Sequence, residues 1–247
     1  MKLLVWMILL ITSANVVQAE EPITVFLAGD STMAEKLPDK RPETGWGEKL
    51  QQLFNADKVR VSNHAKNGRS TKTFLSENLW QQILDNLKEG DYVFIEFGHN
   101  DQAKARSERY TTPTDFLANL VRFVKDVRDR KANPVLMTPV ARRRFNESGA
   151  FNDTHGEYPD QVRKVAAEYK VPLIDMHQKS EGVLKKLGPD ESRSLFLHLK
   201  SNENPNYPNG IEDNTHFNAH GAEVMAKLAV EGIRELKLKL ARYLKPR

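Results

Sequence analysis

Short apolar runs recur along the chain at wide intervals, at residues 23–28, 59–63, 92–97, 135–138 and 171–175, each too short for a helix. They read as strands buried on both faces. Between them the apolar positions switch to helical spacing. Thr112 and Pro113 open one such segment, a hydroxyl cap followed by a proline suited to a first turn, and Phe116, Leu117, Leu120, Val121, Val124 and Val127 then share a face. Leu79, Ile83 and Leu87 mark a helix before Gly90, and Val162, Val165, Ala166 and Tyr169 another before the last strand. Residues 219–243 form a long closing helix. This alternation predicts an α/β protein with a parallel sheet covered on both sides and joined by right-handed crossovers. Ligands bind such sheets beyond the carboxyl ends of the strands, so the chemistry is expected there.

Residues 1–19 depart from this pattern. Lys2 precedes an apolar run over residues 3–11, which gives way to small and polar residues ending Val17-Gln18-Ala19. The run falls well short of the roughly 20 residues of a membrane span and reads as a secretory leader cleaved after Ala19. Residues 20–247 are then one domain, secreted or periplasmic, with no membrane attachment. Loss of Lys2 lowers the net charge of +4 by one. The other basic residues are dispersed and accompany no nucleic-acid motif, so nucleic acid is not an expected partner. The absence of cysteine excludes disulfides, thiolate nucleophiles and cysteine-held metals.

Three strand ends carry small and polar residues that packing does not require: Gly29-Asp30-Ser31, Asn67-Gly68-Arg69-Ser70 and Gly98-His99-Asn100-Asp101. A fourth cluster, Asp213-Asn214-Thr215-His216, precedes the closing helix. A serine hydroxyl needs a base to take its proton and donors for the oxyanion that forms on the attacked carbonyl. Ser31, at a strand-to-helix turn, is the candidate nucleophile and His216 the candidate base. Asp213, three residues before it, can reach round a turn to hold the imidazole in one tautomer. Gly68 can leave its N–H unshielded and Asn100 offers a side-chain amide; with the Ser31 N–H they would form an oxyanion hole.

These blocks, "GDST", "NGRST", "GHND" and "DNTH", resemble in order those of the SGNH, or GDSL-type, hydrolases. The stretches "LAGDSTMA", "GWGEKL", "NHAKNGRSTKTF", "FIEFGHND", "TPVARRRF" and "DNTHFNAHGA" are similar to the rhamnogalacturonan acetylesterases and related bacterial pectin esterases. The resemblance implies a three-layer α/β/α sandwich of flavodoxin-like type, with a parallel sheet of about five strands. It implies Ser31, Asp213 and His216 as a triad, with Ser31, Gly68 and Asn100 as oxyanion donors. It also implies removal of acetyl groups from pectic polysaccharide, an anionic partner, without metal or other cofactor.

An anionic sugar gives Arg69, Arg142 and Arg143 a possible role as substrate contacts. His99 and Asp101 flank Asn100 and are expected to support it, whereas Trp46 and Trp80, at helical positions beside Leu50 and Ile83, belong to the core. Two other readings compete. His216 and His220, spaced i, i+4, would suit a metal hydrolase if they shared a helix face, although Phe217 stands where the zincin pattern has glutamate. A non-catalytic carbohydrate-binding module would use the same sheet edge, but has no need of a serine, a base and an orienting acid together.

Overall fold

The computed structural model describes residues 21–246, so the predicted leader, residues 1–19, lies outside the described residues. Five strands, β1 (Ile23–Gly29), β2 (Val59–Asn63), β3 (Tyr92–Glu96), β4 (Asn133–Met137) and β5 (Leu173–Ile174), pair in parallel in the order β2-β1-β3-β4-β5. The chain leaves β1 in one direction to form β2 and returns past it to form β3. The carboxyl end of β1 therefore lies at the point where the order reverses, which opens a crevice.

Side chains alternate across the sheet into two cores. Val25 and Leu27 of β1, with Tyr92 and Phe94 of β3, face one side, and Phe26, Ala28, Val93 and Ile95 face the other. The first side is covered by α1 (Gly47–Leu50), α6 (Met176–Glu191) and α7 (Ala219–Glu235), through Leu50, Leu184, Met225 and Ala229. The second is covered by α2 (Thr71–Ser76), α3 (Leu79–Asn86), α4 (Pro113–Asp129) and α5 (Tyr158–Glu168), through Phe74, Ile83, Phe116, Phe123 and Val162. The result is the expected α/β/α arrangement around five parallel strands. Trp46 and Trp80 are core residues, and their indole N–H groups donate to Glu96 Oε2 (2.8 Å) and Asp126 Oδ2 (2.9 Å). The α4 cap is as expected, with Thr112 Oγ1 accepting the Asp115 amide at 3.1 Å.

Three elements differ from the sequence pattern. The last strand is trimmed to Leu173–Ile174 because it lies at the sheet edge and because Asp175 leaves it to cap α6, its Oδ1 accepting the Gln178 amide at 3.1 Å. The closing helix stops at Glu235: Lys237 adopts a left-handed conformation (φ 51°) and a 3-10 turn, Lys239–Tyr243, follows. No glycine marks that stop, so the periodicity ran on past it. The third is a small antiparallel hairpin, β6 (Phe196–Leu199) and β7 (Ile211–Phe217), outside the main sheet. Leu197 pairs with Asp213 but Phe196 with Phe217, so residues 214–216 bulge from the ladder.

Candidate active site

Gly29 ends β1 where a Cβ would lie 2.8 Å from Met33 Sδ and 3.0 Å from the Glu96 carbonyl oxygen, so only glycine lets the strand end approach β3 this closely. The chain then makes a single turn, the Ala34 amide donating to the Asp30 carbonyl (3.0 Å), and does not enter the helix expected after Ser31. The Thr32 and Met33 carbonyls are taken by the amides of Trp46 (2.9 Å) and Gly47 (3.2 Å), which pin the turn to the start of α1.

Ser31 Oγ lies 2.8 Å from His216 Nε2, and His216 Nδ1 lies 2.6 Å from Asp213 Oδ2. The carboxylate accepts a hydrogen bond from Nδ1–H, which leaves Nε2 as the bare nitrogen facing the serine hydroxyl. The β7 bulge brings acid and base together: Asp213 Oδ1 also accepts the amides of Thr215 (2.6 Å) and His216 (3.0 Å), closing a tight loop. Burial alone would lower the affinity of the His216 imidazole for a proton, but the Asp213 hydrogen bond and charge outweigh it and raise its pKa above the ordinary value. Burial likewise pushes Asp213 up, yet the His216 contacts and the two amides hold it at about 2.

Gly68 follows β2 at φ +78°, a conformation glycine adopts without strain. Among the described residues, neither the Ser31 nor the Gly68 amide is given to a protein acceptor. Asn100 follows β3; its Oδ1 accepts from Arg109 Nη1 (2.9 Å) and its Nδ2 donates one hydrogen to the Arg69 carbonyl (2.9 Å). That fixes the amide plane and leaves the second N–H. A hydroxyl with a hydrogen-bonded base and three N–H groups at one sheet edge is equipped for acyl transfer.

A model of the GDSL-like lipase/acylhydrolase family matches residues 27–224. The chain belongs to this family. It is a carboxylic ester hydrolase. Rhamnogalacturonan acetylesterase RhgT of Bacillus subtilis is 46% identical over 225 residues, covering 91% of this chain and 95% of that protein. Probable rhamnogalacturonan acetylesterase YesY of the same organism is 37% identical over 217 residues, covering 87% and 94%. Among solved structures, the Bacillus subtilis protein YxiM superposes with a TM-score of 0.76 at 24% identity, over 88% of this chain and 58% of that one.

Behind the serine of this GDSL hydrolase lies a buried polar layer. Asp30 Oδ1 accepts from the Thr32 amide (3.0 Å) and hydroxyl (2.9 Å), and Oδ2 is 3.1 Å from His99 Nδ1. Burial raises the Asp30 pKa, but His99 and Thr32 together hold the carboxyl well below its usual range. Glu96 has no such cationic neighbour: burial, then the Asp30 charge, push it to about 8 despite hydrogen bonds from the Val140 amide and the Trp46 indole. The Thr32 hydroxyl, 2.9 Å from Asp30 Oδ1 and 3.2 Å from Glu96 Oε1, bridges the two buried carboxyl groups. His99 therefore braces the nucleophile turn. Asp101 holds the loop after Gly68, its Oδ1 accepting from the Thr71 amide (3.0 Å) and hydroxyl (2.6 Å). Neither bonds the Asn100 side chain directly.

Of the three arginines assigned to substrate, Arg143 turns inward, which corrects that expectation for it, while Arg142 and Arg69 are partly exposed and already engaged by protein partners. Arg143 is buried: Nε donates to Ser192 Oγ (3.0 Å), Nη1 to Asn214 Oδ1 (2.6 Å) and Nη2 to the Pro189 carbonyl. Because Asn214 sits in the β7 bulge, Arg143 braces the acid and base and has no free edge for a sugar carboxylate. Arg142 donates to Thr154 Oγ1 and the His99 carbonyl (both 3.3 Å). Arg69 spends Nε and Nη2 on Glu77 and Nη1 on the Asn67 carbonyl. His216 and His220 do not share a helix, since α7 begins at Ala219. Two residues escaped the sequence reading. Lys36 is buried and donates to the Ser31 carbonyl, to Asn67 Oδ1 (2.8 Å) and to Glu43 Oε1 (2.8 Å). Arg109 Nη1 donates to Asn100 Oδ1 and, at 3.4 Å, to the Gly68 carbonyl, so it locks the two candidate oxyanion donors to each other. Neither carries a local signal, because each is a common surface residue type made structural by distant partners.

Proposed function

We propose that this protein is an exported esterase that removes acetyl groups from rhamnogalacturonan, the backbone of an anionic plant pectin, through an acetyl-enzyme. The reading rests on the Ser31–His216–Asp213 hydrogen-bonded chain beside the free amides of Ser31 and Gly68. The substrate comes from the relative named rhamnogalacturonan acetylesterase at 46% identity. Ser31 Oγ attacks the acetyl carbonyl while His216 Nε2 takes its proton. The Ser31 and Gly68 amides and the Asn100 side chain stabilise the oxyanion. His216 then protonates the departing sugar hydroxyl, and water, activated by the same nitrogen, releases acetate. Asp213 holds the imidazole and stabilises its charged form. Export follows from the leader pattern of residues 1–19, and delivery to the periplasm or medium is the expected outcome.

Acetate release from acetylated rhamnogalacturonan, homogalacturonan and xylan, measured side by side, tests the substrate. Rhamnogalacturonan should give the highest kcat/KM. Preference for acetylated xylan would move the assignment to another acetylated sugar, and no turnover even of an aryl acetate would point to a sugar-binding module.

A further inference from the structure

Beyond the reaction centre, three side chains converge where the loop after β4 meets the first turn of α6. Asp153 Oδ1 lies 3.1 Å from His155 Nδ1 and 2.8 Å from His177 Nε2, and the three atoms lie within 4.8 Å of one another. Ligand atoms bound to one transition ion at about 2.1 Å stand roughly 3.0–3.5 Å apart, a spacing close to that of the Asp153 oxygen from each imidazole, so the remaining adjustment is a drawing together of the two histidine nitrogens. Both histidines are buried, while Asp153 is partly exposed and leaves an approach from solvent. We propose that Asp153, His155 and His177 form a site for a divalent transition ion of the zinc class, structural and separate from the ester chemistry.

Two observations favour an ion over a cluster held by hydrogen bonds alone. If His155 donates its Nδ1 proton to Asp153, its Nε2 is a bare acceptor, fully buried and unpartnered among the described residues. The ring it meets edge-on at 4.9 Å is His99, whose Nε2 is also buried and unpartnered and, with Nδ1–H given to Asp30, is bare as well. Coordination through Nδ1 moves the His155 proton to Nε2 and so places a donor in that shell. The second observation is a carboxylate behind His177: Glu181 Oε2 stands 3.9 Å from Nδ1, beyond direct hydrogen bonding, where a small side-chain shift supplies the carboxylate partner usual for a metal-bound imidazole. Two imidazoles and one carboxylate suit zinc or its neighbours and do not suit calcium or magnesium, which want oxygen donors. Arg142, bonded to Thr154, and the amino end of α6 are positive neighbours, so binding is expected to be weaker than at a site without them. A bound ion would tie the loop carrying Arg142 to α6 beside His99.

The purified protein, stripped with a chelator, should bind one Zn²⁺ in calorimetry, show visible d–d bands with Co²⁺, and gain several degrees in Tm with Zn²⁺. Asp153→Asn and His177→Gln should each weaken binding at least tenfold while retaining a cooperative melt, and His220→Ala should bind as the parent does. Absence of saturable one-to-one binding, or binding unchanged in both Asp153→Asn and His177→Gln, would overturn the site and leave a hydrogen-bonded cluster. Ester turnover by the stripped protein reads the catalytic proposal independently.

Discussion

Two aspartate–histidine pairs flank the same serine turn and behave in opposite ways. Asp213 and His216 are 2.6 Å apart with side chains 22% and 28% exposed, and the histidine pKa is raised. Asp30 and His99 are 3.1 Å apart with side chains 0% and 4% exposed, and the histidine pKa is lowered. In both, burial pulls the imidazole towards its neutral form and the carboxylate pulls it towards the charged one. Burial wins where no solvent reaches, and Arg142 adds to it; the carboxylate wins in the pair that is about a quarter exposed. The first pair can take and return a proton during turnover. In the second the imidazole is held towards its neutral form beside an ionised Asp30, and the pair acts as a brace. The same two residue types thus serve as base or as buttress according to depth.

The sharpest test of that contrast is substitution within the open pair. Ser31→Ala or His216→Ala should lower kcat by about 10⁴ or more with the melting curve little changed. Next comes the oxyanion hole: Asn100→Ala should cost about 10²–10³ in kcat, read against an unchanged KM. Arg109→Ala, which frees the Asn100 amide plane, should cost on the order of ten- to a hundredfold in kcat, with partial recovery in Arg109→Lys. His99→Leu should leave kcat within a few-fold but cost about 1–3 kcal/mol in unfolding free energy, because it deprives buried Asp30 of a partner. Loss of turnover in His99→Leu as large as in His216→Ala would erase the distinction between the pairs.

The subtlest effect is on pH. His216 works as a base only when neutral, and its pKa is raised, so kcat/KM should climb with pH through a midpoint above the ordinary value of about 6.5. Asp213→Asn removes the cause of that rise and should move the midpoint down as well as lower the rate. By NMR the His216 imidazole should titrate above the ordinary value and that of His99 below it, so the two midpoints should fall on opposite sides of a free histidine.

Much of this was open to reading without coordinates. The strands declared themselves because a β-strand buried on both faces is almost wholly apolar, as β3 is; β2, at the sheet edge with Arg60 exposed, ran over the expected residues without that burial. Ser31, Gly68, Asn100, Asp213 and His216 stood out because each sits where packing alone asks for nothing of its kind. The α7 stop at Lys237 and the β6–β7 hairpin did not, since a lysine in a left-handed turn and a bulge beside an antiparallel partner leave no periodic trace.

What the sequence determined alone is the list of reactive groups and the order of the strands that carry them, because residue chemistry and hydrophobic period are local properties. Tertiary structure decided which carboxylate meets which histidine, how deeply each pair is buried, and that Arg143 and Arg109 face inward while Lys36 lies beneath the serine. Those outcomes depend on desolvation and on partners dozens of residues away, quantities that exist only once the chain has closed around them.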